Sequence, residues 1–104
     1  MPTDLRRTIL LRRREADRSA IDNLAQRHRL TVVYTAVTDT AAPRLAVLIA
    51  MEHVLNHNAE VVVVPHLSAL DIWRDREWLA LAELVDLVMA DGELLSGGAD
   101  VVRY

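Results

Sequence analysis

The sequence predicts a small three-layer α/β domain, a mostly parallel sheet of about four strands with alternating helices. Three observations predict it. Aliphatic, β-branched runs alternate along the chain with stretches of helical period, and strands alternating with helices imply a parallel sheet with right-handed crossovers. One run, residues 61–64, is four valines in a row, as expected of a strand covered on both faces. The chain has 104 residues and is 52% apolar, enough to build a real core.

In chain order, "RTILLRR" (7–13) is predicted as the first strand. Residues 15–29 follow as a helix, because Ala20, Ile21, Leu24 and His28 fall at helical spacing between polar residues. "LTVVYTAVTD" (30–39) is rich in β-branched residues and reads as the second strand. "TDTAAP" is a turn, with Thr40 or Asp39 as the expected cap and Pro43 suited to the first helical turn. Residues 43–58 form a strongly apolar helix whose wet face is limited to Arg44, Glu52, His53, Asn56 and His57. So narrow a polar face implies cover by the sheet on one side and by something else on another. "AEVVVVP" (59–65) is the third strand, and "SALD" (68–71) fits a capping pattern ahead of one further helix through Trp73, Trp78, Leu81 and Leu84. Residues 85–96 are open to two readings, more helix or a short strand, Val85 to Met89, followed by an Ala-Asp-Gly turn and another extended piece. The strand reading is preferred. The chain is read as one domain, with 1–6 and 97–104 as loose termini.

Composition excludes several classes. There is no cysteine, so disulfide and thiolate chemistry are absent and a cytoplasmic location is expected. No apolar run reaches the ~18 residues of a membrane helix, and the N-terminus does not read as a signal peptide. Every basic residue bar histidine is Arg, which reflects GC-rich coding. The net charge of −3 hides an asymmetry: residues 1–30 hold eight Arg against four acids, and residues 31–104 hold four Arg against eleven. A basic end on an acidic body can serve nucleic acid or an acidic partner; the plainer reading is a solvated helix and strand end.

The layout resembles the N-terminal catalytic domain of serine recombinases, the resolvase/invertase family, over roughly residues 8–96. The likeness rests on an Arg-bearing first strand, a second strand ending "VYTAVTD", the helix "APRLAVLIAMEHVL" and the loop "VVVPHLSAL". The resemblance implies a resolvase-like α/β topology, with a flavodoxin-like or toprim-like arrangement as the alternatives. It also implies where chemistry would sit. Arg12 falls at the family's Arg position, but the nucleophilic serine position falls on Arg14, and the paired phosphate-holding arginines fall on Ala69 and Ile72. Asp39 matches the second strand's Asp, without the glycine-bearing loop that follows it in the family. Phosphoryl transfer to a protein nucleophile needs the nucleophile and the cations. The chain also ends before the long helix and DNA-binding domain of a complete recombinase. A short, catalytically inactive relative is therefore expected.

Other candidate chemistry is sparse. His53 and His57 share a helix face at a spacing that can hold a metal, with His66 as a third ligand, but without Cys or an acidic cluster they read as solvated, and no metal or cofactor is expected. Ser19, Ser68 and Ser96 lack a nucleophile elbow. Asp71, Asp75, Glu77, Glu83 and Asp86, interleaved with Arg74 and Arg76, read as a solvated helix face with weak ion pairs. Trp73 and Trp78 point about 140° apart on an ideal helix, which makes Trp78 core and Trp73 exposed.

Two functions are therefore carried forward. The first is a non-enzymatic accessory or regulatory protein that self-associates or docks on a protein partner, with Trp73, Leu48, Met51 and Leu55 as interface residues. The second is sequence-independent DNA binding, with Arg12, Arg13, Arg14 and Arg18 on phosphates. No membrane contact is expected.

Overall fold

The computed structural model describes residues 5–15 and 18–95. The chain runs β1 (Arg6–Arg12), α1 (Arg18–Arg27), β2 (Leu30–Val37), α2 (Pro43–His57), β3 (Val61–Val64), α3 (Ala69–Trp73), α4 (Arg76–Ala82), β4 (Asp86–Met89) and β5 (Leu94–Leu95). One sheet holds all five strands in the order β2-β1-β3-β4-β5. β1 pairs in parallel with β2 and β3, and β3 with β4, while β5 closes back antiparallel on β4. The order 2-1-3-4-5 is one of the common doubly wound orders, and it places a switch point between β1 and β3.

Alternation along the buried strands divides the core in two. Ile9, Leu11, Val62, Val64, Leu87 and Met89 pack under α2, α3 and α4. Leu10, Val61, Val63 and Val88 pack under Ile21 and Leu24 of α1. The three layers are thus one helix, the sheet, and three helices. All four valines of β3 are buried, as their run predicts.

β2 carries one extra residue. Thr8 lies opposite Val32 but Ile9 lies opposite Tyr34, so Val33 is a bulge. A bulge shifts which face each later residue takes, and this one turns Tyr34 toward α2, where its ring stacks on His53 at 4.2 Å and His57 at 4.7 Å.

Several sequence expectations change. Arg6 belongs to β1 and not to a loose terminus, and α1 starts at Arg18, with Ala20 exposed. The sheet has five strands, because the short 94–95 piece pairs with β4. α2 begins at N-cap Ala42 without a side-chain cap; Thr40 Oγ1 instead accepts from the Ala42 N–H at 3.1 Å. Pro43 does open the helix, and Asn58 ends it in the left-handed conformation, φ 54°. The single helix expected after residue 68 is two. Asp75 caps a new start, its Oδ1 accepting from the Glu77 N–H at 2.8 Å, while Ser68 and Asp71 form the expected capping box on α3. The preferred strand reading of 85–89 holds at 86–89. The expected loose tail 97–104 lies outside the described residues. No helix among the described residues is long and apolar enough to cross a membrane.

Candidate functional site

The four parallel strands end at one edge of the sheet, where ligands of doubly wound folds collect. Arg12–Arg14 leave β1 there, Asp39 follows β2, and Pro65–Ser68 follow β3. The edge does not gather the four candidate arginines into one cluster. Arg12 folds back on its own turn, its Nη1 donating to the carbonyls of Arg13 at 2.9 Å and Arg14 at 3.2 Å. It shares with Arg18 the rim of a cavity of about 580 Å³ on the α1 face, floored by Leu10, Ile21 and Val32. Arg14 is clasped to the loop after β2: its N–H donates to Asp39 Oδ1 at 3.1 Å, and its guanidinium lies 3.5 Å from Oδ2. Asp39, the one strand-end carboxylate singled out from the sequence, is thereby used to join two loops.

Arg13 lines two smaller cavities, one of about 270 Å³ with Arg14, Glu15 and Asp39, and one of about 220 Å³ between the first turn of α2 and the loop after β3. His66 and Asp71 line the second of these. Burial of His66, then the nearby Arg13 charge, lowers its pKa below the ordinary imidazole value, against a smaller opposing pull from Asp71. Its Nδ1 is buried without a hydrogen-bond partner. The Asp71 carboxyl is held below the usual carboxylate range by the Ser68 backbone N–H and hydroxyl, which donate to it at 2.9 and 3.1 Å. The Ser68 hydroxyl in turn accepts from the Asp71 N–H. It is engaged in the capping box of α3, donating to the Asp71 carboxylate and accepting from its N–H. This small space is therefore lined by one cation, Arg13, the His66 imidazole and two carboxylates, Asp71 and Asp75.

The histidines do not converge. His53 and His57 are half-buried against Tyr34, contrary to the solvated face expected of them. His66 lies at the other edge of the sheet, since α2 ends where β3 begins and His66 follows the end of β3. Among the described residues no group of three or more His, Cys, Asp or Glu is placed to hold a metal. Ser96 lies outside the described residues.

The interface candidates fare differently. Leu48 and Leu55 are 58% and 75% exposed, and Trp73 is exposed while Trp78 is buried. Met51 is half-buried against the core. Leu45 and Leu70 are also exposed, and neither was singled out from the sequence; Leu45 could have been, one turn before Leu48. The acidic residues are not one helix face. Asp71 and Asp75 are caps, and Asp86 lies on β4, 2.7 Å from Arg6.

Comparison of the chain with protein-family models, with curated proteins and with solved structures gives no match.

Proposed function

We propose that this chain acts by binding and not by catalysis, as a small accessory or regulatory domain that associates with a second copy of itself through the outer face of α2. The recombinase-like reading of the sequence enters as part of the same proposal, with Arg14 in place of the nucleophile. The observation that carries it is the division of α2. Ala46, Val47, Ala50 and Val54 are buried, while Leu45, Leu48 and Leu55 stay at least half exposed. Leu48 and Leu55 are seven residues apart and point within about 20° of each other. With Met51 between them they form a seam of the spacing two packed helices use. Antiparallel pairing sets Leu48 of one copy against Leu55 of the other, twice. Covering these side chains contributes on the order of 1 kcal/mol each.

Sedimentation velocity across protein concentrations tests this. The natural protein is expected to associate reversibly, and Leu48→Glu with Leu55→Glu to abolish that contact without changing the melting temperature. A natural protein that stays monomeric throughout would overturn self-association and turn the α2 seam over to a protein partner.

The second reading is DNA binding. It is favoured by two arginine pairs at the edge where the parallel strands end, Arg12 and Arg18 on one cavity with Asp22 and Arg13 and Arg14 on another with Glu15 and Asp39. Its measure is affinity for duplex DNA across a salt series, with Arg12, Arg13 and Arg14 changed together to Ala. Three phosphate contacts predict a log–log salt slope of roughly −3, lost in the triple variant. No binding at low salt would remove this reading.

A further inference from the structure

Among the described residues β2 stands at the edge of the sheet, with β1 as its one neighbour. It spans eight residues, Leu30–Val37, and contains no charged residue, proline or glycine. Natural edges are blunted by charges, prolines, shortness or cover. The opposite edge, β5, follows that practice with only two residues. β2 has only its bulge at Val33.

The ladder identifies which backbone groups are free. The Thr38 N–H donates to the Arg12 carbonyl at 2.9 Å, so residue 38 faces β1. Parallel pairing uses alternate residues on each side of a strand. Counting back, Ala36 and Tyr34 also face β1, and Val37 and Thr35 turn their N–H and C=O groups outward. The side chains of Val32, Tyr34 and Val37 are exposed beside them.

We propose that this edge is a strand-pairing surface at which a second copy of the chain adds antiparallel, joining two five-stranded sheets into one. A second copy is the fitting occupant for three reasons. The strand is uncharged, so two copies meet without like-charge repulsion. A twofold register about Thr35 sets Tyr34 beside the small Ala36 of the other copy, large against small. Such a joint is also closed and self-complementary. This register opposes residues 33–37 of the two copies, five residues or about 16 Å of strand, a contact smaller than the ~1,000 Å² of specific interfaces; the dimer is therefore weak and reversible. This contact uses different residues from the α2 seam and stands without it.

The test uses the full chain carrying Leu48→Glu and Leu55→Glu, so that the α2 seam cannot contribute. Amide hydrogen exchange is followed at low and high protein concentration, with sedimentation in parallel. Protection of residues 32–37 is expected to rise at least tenfold at high concentration, together with dimer formation. Thr35→Pro removes an N–H that β1 does not use, and should abolish both changes. Thr35→Lys places two cations opposite each other at the twofold axis, and should do the same if the proline variant folds poorly. Exchange in 32–37 that ignores concentration would overturn the proposal, as would a dimer that survives in folded Thr35→Lys protein. Association lost wholly with the α2 substitutions, with 32–37 unprotected, would leave the α2 reading standing and this one refuted.

Discussion

β1 carries arginine at both ends, and the two ends use it differently. At the start of the strand, Arg6 lies 2.7 Å from Asp86 and 3.3 Å from Glu60, and Arg7 Nε donates to the His57 carbonyl at 2.9 Å. Burial works to lower the Arg6 pKa, but the bonds and charges of Asp86 and Glu60 outweigh it and raise the value. At the far end, Arg14 makes one long, exposed pair with Asp39, and Arg13 lines two cavities. The difference follows from the sheet. At the β1 start, Glu60 lies just before the adjoining strand β3, and Asp86 opens β4, one strand further on. At the β1 end these two strands run into loops after Val64 and Met89. One end is tied across the sheet to other strands, and the other is held only by its own turn and the loop after β2.

The largest break in this comparison comes from Arg6→Ala. The Asp86 side chain is only 15% exposed, and losing the Arg6 guanidinium beside it is expected to cost about 1–2 kcal/mol in urea unfolding. Arg14→Ala, measured the same way, should cost no more than about 0.5 kcal/mol, as exposed pairs do. Equal losses at the two ends would erase the distinction. A smaller effect is read from pH. His66 has a lowered folded pKa, so the unfolded chain takes up a proton first as pH falls through about 6.5. The stability held above that pH is lost on the way down to the folded value. Asp71 is lowered as well, and its contribution is lost further into acid, below the ordinary carboxylate range. His66→Gln should flatten the first decline and leave the second; an unchanged profile between pH 5 and 7 would remove His66 from the pH dependence.

Much of the fold was legible in local pattern. Val61–Val64, Pro43, the Ser68–Asp71 box and the 86–89 strand each carry a short-range signal that the structure honours. The break between α3 and α4 was also written locally, in Asp75 followed by an acid in the first turn, but the continuous apolar spacing through Trp78 masked it. The site was less legible. Arg12, Arg13 and Arg14 do lie at the end of a parallel strand, yet consecutive residues leave a strand end in different directions. The chain does not state that Arg12 bends onto its own turn while Arg13 meets His66.

Sequence alone determined the alternation of elements, the doubly covered β3 and the helix caps, because those depend on residues within one or two turns of each other. Tertiary structure decided what no local pattern encodes. The Val33 bulge turns Tyr34 onto His53 and His57, so two histidines that read as solvated become half-buried. The strand order leaves β2 at the sheet edge among the described residues and brings Arg6 to Asp86, eighty residues further along the chain. Register and strand order are set by which surfaces bury the most apolar area together, and that balance exists only once the sheet is assembled.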